Sequence, residues 1–254
     1  MGNLAERLEE ELNVHYITFH PFGVECQVAE SVVMTWIIMV IMVGLAIFLT
    51  AGMSVHHITK RQAVAELIVT KLEGIVEGMI GPGGKRYVPY LATVLFYIGL
   101  SNIIGVFDLG LFEFRLKPPT KDLNVTAALA LMSICLIEYA GIHSRGAAGW
   151  LKSFAEPIAV IAPLNVLEIF IRPLSLCMRL FGNVLGAFTI MELLKMACPP
   201  VLPAAASLYF DLFDGLIQAY IFVFLTSMFI KEALIEAEYP PVFPLHPSIL
   251  HDAL

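Results

Sequence analysis

Arg179 is the side chain in this sequence hardest to reconcile with its surroundings, because it lies in RPLSLCMRLFGNVLGAF with several uncharged residues on either side. An arginine at the centre of a membrane helix costs about 2.5 to 3.5 kcal/mol on insertion scales, so an ionisable group there is a functional-site candidate by default. A guanidinium does not lose its proton in a protein, which excludes a relay role. It can hold a fixed positive potential that keeps a nearby carboxylate ionised. On a helix, Arg172, Ser175, Arg179, Asn183 and Gly186 fall along one face. A second polar set, Asp211, Asp214, Gly215, Gln218 and Thr226, recurs at helical spacing in the next apolar stretch. Two such stripes in one hairpin are expected to face each other or a shared cavity. The simpler alternative makes Arg179 a structural charge paired with Asp211, Asp214 or Glu168 to hold the two helices together.

Groups of this kind need a membrane scaffold, and the composition supplies one. The 254 residues are 58% hydrophobic and 15% charged, against roughly 45 to 50% and about 25% in soluble domains. A hydrocarbon core about 30 Å thick takes about 20 apolar helical residues. Residues 31–55 and 87–107 carry no charge, and residues 123–142 carry only Glu138; each is expected to span. Residues 62–79 place Ala65, Leu67, Ile68, Leu72, Ile75, Val76 and Met79 at helical spacing among Lys71, Glu73 and Glu77, the pattern of an amphipathic helix on the membrane surface. Residues 156–198 and 201–236 read as two helices too long to cross upright, with Pro199, Pro200 and Pro203 marking the turn. The expected fold is an all-α polytopic membrane protein in one domain, 1–254. It has five membrane helices, the last two a long tilted hairpin, plus a cytoplasmic amphipathic helix. An N-terminal segment, 1–30, and a tail, 237–254, flank it. Alternating ten-residue segments of the β-barrel kind are missing.

Other classes fall away on charge and cysteine usage. With 15 Lys plus Arg against 22 Asp plus Glu and a formal charge of −7, there is no phosphate-neutralising surface, and nucleic acid is excluded as a main partner. Cys26, Cys135, Cys177 and Cys198 have no metal-ligand spacing, so neither a zinc site nor a disulfide framework is expected. No cofactor or metal is implied. The acidic start MGNLAERLEEELN is unlike a secretory or transit leader and reads as mature sequence.

Lys60, Arg61, Lys71, Lys85 and Arg86 follow the first span, whereas Arg7 is the one Lys or Arg before it. The positive-inside bias puts the N-terminus outside, residues 56–86 in the cytoplasm and, after five crossings, the C-terminus inside. Arg115, Lys117 and Lys121 in the loop 108–122 run against that bias, with Asp108, Glu113 and Asp122 mixed in. All seven histidines fall outside the expected spans, so a proton path must use carboxyl, amide and hydroxyl groups.

PLNVLEIFIRPLSLCMRLFGN followed by LIQAYIFVFLT resembles the a subunit of F-type ATP synthases, the stator component of the membrane sector, and the likeness covers most of the chain in order. The resemblance implies that Arg179 is the family's essential arginine, facing a ring of c subunits and their ion-carrying carboxylates, with peripheral-stalk b subunits as further partners. It implies that Asn183 and Ser175 are the polar residues one turn either side, and that Gln218 is the glutamine beside the arginine. Asp211 then matches an acid or histidine of the inlet half-channel, and Asn102 the polar residue of the second span. In many members a glutamate lies nine residues after the arginine; here that position is Phe188. Glu192, one turn on, either takes its place, alone or with Asp211, or sits at headgroup level paired with Lys195. Glu138 and Glu168 either line the cytoplasmic exit or stabilise helices, and Asp214 either joins the path or partners a cation.

The function implied is ion translocation, with proton as the expected ion, through two offset half-channels against a rotating ring, in a bacterial plasma membrane. The alternative is a proton-coupled secondary transporter in which Arg179 binds an anionic substrate. That reading predicts inverted repeats with broken helices in corresponding positions, and the two halves of the chain show none. No phosphate-binding GxxxxGK[ST] loop is present, so ATP chemistry is expected on other subunits.

Overall fold

The computed structural model describes residues 16–19, 25–53, 59–81, 83–106, 118–154, 160, 162–197, 202, 205–206 and 208–238, with the side chains of Glu192 and Asp211 outside that description. A short antiparallel hairpin comes first, β1 (Tyr16–Phe19) and β2 (Cys26–Ala29), with Tyr16 opposite Ala29 and Phe19 opposite Cys26. Helix α1 (Glu30–Thr50) follows directly, its 21 residues making about 31 Å of helix, one hydrocarbon thickness. Only Met34 and Ile38 of α1 are buried, and Trp36, Val40, Val43, Ile47 and Phe48 stay exposed. Such an apolar outer surface fits a lipid environment. Two polar contacts tie α1 to its neighbours: Ser31 Oγ donates to Asp122 Oδ2, and the Thr35 and Tyr97 hydroxyls share a hydrogen bond of 2.9 Å.

Helix α2 (Lys60–Ile80) starts where Thr59 Oγ1 accepts from Gln62 N at 3.3 Å and stops at Gly81, whose φ of 105° few other residues tolerate. It packs along α1 and along two later helices, Val88–Val106 and Gly215–Glu238, through Ala65, Val76 and Ile80. Leu67 and Ile75, on the apolar side expected to lie against the membrane surface, are exposed in the chain by itself. A 3-10 turn, Gly84–Tyr87, leads into α3 (Val88–Val106), and a second, Pro119–Lys121, precedes α4 (Leu123–Ser153). Asp122 caps α4 by accepting from Asn124 N at 2.8 Å.

Helix α4 runs beyond the expected span 123–142. His143, expected outside the spans, is therefore within this helix, stacked on Tyr139 with ring centroids 5.8 Å apart. Gly146 interrupts α4 with φ 75° and ψ 159°. In a straight helix nine residues advance about 13.5 Å, yet a Cβ on Gly141 would lie 3.4 Å from Trp150 Cδ1. The chain folds back at Gly146, and Trp150 Nε1 reaches Glu138 Oε2 at 2.8 Å.

Helix α5 (Ala162–Ala197) has 36 residues with Pro173 inside, about 54 Å of helix, well beyond one hydrocarbon thickness. The last stretch is not one α-helix. A π-helical segment, Leu208–Asp214, gives way at Gly215 to α6 (Gly215–Glu238). Helix α6 packs against α3 and α4, whereas α5 lies chiefly against α4 and touches α6 less extensively. Ile98, Leu91, Ile137, Leu180, Phe222 and Ile230 form the buried centre where these helices meet. Among the described residues, five helices are long and apolar enough to cross a membrane. The fold is that of an all-α polytopic membrane protein carrying one small β-hairpin.

Candidate functional site

Pattern on α5 separates two faces sharply. Leu176, Cys177 and Leu180 are buried against the bundle, while Leu174, Ser175, Met178, Arg179 and Gly182 are exposed. Arg179 therefore projects from the outside of the chain, and among the described residues it makes no hydrogen bond or ion pair. Asn183, one turn on, is half-buried. An unneutralised guanidinium flanked by exposed Leu174 and Met178 is costly in hydrocarbon. No described side chain of this chain neutralises it.

Arg172, seven residues earlier, behaves oppositely. Its Nη2 lies 3.0 Å from Glu168 Oε1 and 3.0 Å from Glu232 Oε1 of α6, and its guanidinium sits 5.0 Å from the Phe229 ring centroid. The structural charge holding α5 to α6 is Arg172, and Glu168 is engaged there. Seven residues leave the two arginines on nearly one face but about 10.5 Å apart along the helix, so they meet different neighbours.

On the other stripe, Gln218 is 5% exposed, and its Nε2 is buried without a hydrogen-bond partner among the described residues. Asp214, one turn before it, is half-buried in the π-helical segment. Thr226 donates to the Phe222 carbonyl at 2.9 Å and the neighbouring Ser227 to that of Val223 at 2.8 Å, so their hydroxyls are satisfied within α6 and the open polar groups end at Gln218. Asn102 of α3 lies alongside: its Nδ2 donates to the Gly215 carbonyl at 2.9 Å and its Oδ1 accepts from Thr120 at 3.1 Å. Glu138 lies elsewhere, hydrogen-bonded to Trp150. The expected positions Glu192 and Asp211 have described backbone only.

Two participants were not singled out from the sequence. Lys121 Nζ lies 5.0 Å from the Phe188 ring centroid, placing a cation over the residue that stands where the resemblance leads one to expect an acid. Thr120 is completely buried against Asn102. Both sit in the turn PPTKD, where helical periodicity carries no signal.

Residues 32–231 match the profile of the family described as ATP synthase A chain. The chain belongs to the ATP synthase subunit a family. The chain is 36% identical over 201 residues to ATP synthase subunit a of Moorella thermoacetica, covering 79% of this chain and 88% of that protein. It is 32% identical over 222 residues to the sodium ion specific ATP synthase subunit a of Propionigenium modestum, covering 84% and 76% respectively. A Bradyrhizobium ATP synthase subunit a 2 is 33% identical over 82% of the chain and 89% of its own length. A subunit a is a membrane-sector component of the ATP synthase. With five apolar helices of spanning length among the described residues, this one is an integral, multi-pass membrane protein serving ion transport and ATP synthesis in a complex with other subunits of that sector.

Proposed function

We propose that this subunit a carries protons between two offset half-channels and a rotating ring of c subunits, with Arg179 as the charge that keeps the half-channels apart. The observation that carries the proposal is the exposure of Arg179 on the outer face of α5 without a hydrogen-bond or ion-pair partner among the described residues. A ring carboxylate is the complementary group. It crosses hydrocarbon protonated; as it nears Arg179 the fixed positive charge lowers its pKa, and the proton leaves by one half-channel. The second half-channel, open to the other side, reloads the next carboxylate. Each elementary charge crossing 100 mV contributes about 2.3 kcal/mol, so several crossings sum to one ATP through rotation.

On the stator side, Gln218, Asn183 and Ser175 order water around the arginine, and Asp214, Asp211 and Glu192 pass protons in the inlet. Asn102 belongs to the same side. Glu168 and Glu138 have other partners, Arg172 and Trp150, and their weight in this reading is structural. The subunit performs no ATP chemistry itself and docks against peripheral-stalk b subunits in a bacterial plasma membrane, N-terminus outside and C-terminus in the cytoplasm. Sodium is the second coupling ion to consider, because one relative at 32% identity is named as sodium ion specific.

The test uses Arg179→Ala and Arg179→Lys in vesicles holding the whole complex. ATP-driven acidification is expected to disappear in both while the complex assembles. After removal of the soluble sector, the alanine variant is expected to leak protons passively. Pumping that survives Arg179→Ala in an intact complex overturns the reading. Uptake of radiolabelled sodium in place of acidification reassigns the ion and leaves the role of Arg179 standing.

A further inference from the structure

Asn102 and Gly215 approach so closely that a Cβ on residue 215 would lie 2.6 Å from Asn102 Cβ and 3.0 Å from its Cγ and Nδ2. No side chain fits there. The approach brings Asn102 Nδ2 to 2.9 Å from the Gly215 carbonyl, while Thr120 Oγ1 donates to Asn102 Oδ1 at 3.1 Å and fixes the amide the right way round. All three residues are buried, Thr120 completely. Gly215 is also where the π-helical Leu208–Asp214 ends and α6 begins.

A π turn is an irregular insertion in a helix that depends on its surroundings. Where it ends matters because each residue turns a helix by about 100°, so moving the junction by one position swings every later side chain to another face. Gln218 is the first buried polar side chain after the junction, and Asp214 the last residue before it. The amide of Asn102 is thus committed at both ends to a backbone carbonyl and a neighbouring hydroxyl.

We propose that Asn102, oriented by Thr120, is a positioning residue that pins the π-to-α junction at Gly215 and thereby sets where Asp214 and Gln218 stand in the ion path. The assignment deepens the half-channel reading above and rests on it. Asn102 acts through the Gly215 carbonyl, and Gly215 is a glycine because the amide must come this close.

The test uses the assembled complex in membrane vesicles with a Gly99→Cys and Leu216→Cys pair, since a Cβ on Gly99 would lie 3.7 Å from Leu216 Cδ2 and reports the register of α3 against the start of α6. Thr120→Val is expected to lower the yield of the oxidative cross-link and, without the cysteine pair, ATP-driven pumping per assembled complex, each by about three- to tenfold. Thr120→Ser, which keeps the donor, is expected to retain both. Asn102→Asp, which keeps the acceptor and loses the donor to Gly215, is expected to show the same two losses. The double variant Asn102→Ala with Thr120→Val is expected to be no worse than Asn102→Ala, because Thr120 acts through Asn102. An unchanged cross-link in both Thr120→Val and Asn102→Asp overturns the proposal, as does a lost cross-link with undiminished pumping, or additive losses in the double variant. Arg179→Ala is the control for the ion-path reading. Failure of that reading shows as pumping that survives Arg179→Ala, whereas failure of the junction shows in the cross-link.

Discussion

Two arginines on one helix carry the same charge in opposite surroundings. Arg172 has only 14% of its side chain exposed, with two carboxylates at 3.0 Å and an aromatic ring beneath it. Its charge is neutralised within the chain, so it lends itself to holding α5 against α6 and presents little charge outward. Arg179 has the reverse surroundings. The division predicts different phenotypes. Glu232→Gln and Arg172→Gln, measured singly and together by thermal denaturation of the assembled complex, are expected to show a coupling energy of about 0.5 to 1 kcal/mol. Coupled pumping by the surviving complexes is expected to stay within about twofold of wild type, because neither group touches the translocated ion. A pumping defect in Glu232→Gln as deep as that of Arg179→Ala would place the pair in the ion path instead.

At the scale of elements, one irregular point has a local origin and the other meets a distant residue. Helix α4 folds back because Gly146 adopts φ 75° and ψ 159°, a region closed to side chains. The return brings Trp150 onto Gly141 and Glu138. Gly146→Ala is expected to destabilise this return by about 1 to 3 kcal/mol and to speed trypsin cleavage after Lys152 in the membrane-bound complex. Unaltered cleavage kinetics would show that the fold-back does not depend on the glycine. The π-helical segment ahead of α6 ends where Asn102 meets Gly215. Neither irregularity was legible in the apolar pattern. A glycine inside a helical run is compatible with continuation as well as with a break, and the end of the π turn depends on a side chain 113 residues away in sequence.

For the whole molecule, exposure follows partners that lie outside the chain. Helix α1 shows Val40 at 72% and Ile47 at 62% exposed, a face that only hydrocarbon or another apolar subunit can cover. A spin label at Val40→Cys in the assembled complex is expected to collide freely with oxygen and poorly with a water-soluble nickel chelate. The converse result would mean that this face meets water. Much of the architecture was legible in the sequence, because apolar runs long enough to cross hydrocarbon, with Glu138 their single charge, leave few alternatives for residues 31–55, 87–107 and 123–142. An arginine within an apolar run marked the candidate site for the same reason, since the cost of its charge is set by the solvent. The tertiary structure alone decided which arginine is paired, that Thr120 and Asn102 grip Gly215, and that Lys121 lies over Phe188. Periodicity tells which residues share a face of one helix. Which neighbour that face meets depends on crossing angles, turns and interruptions between helices, and those arise only when the helices pack together.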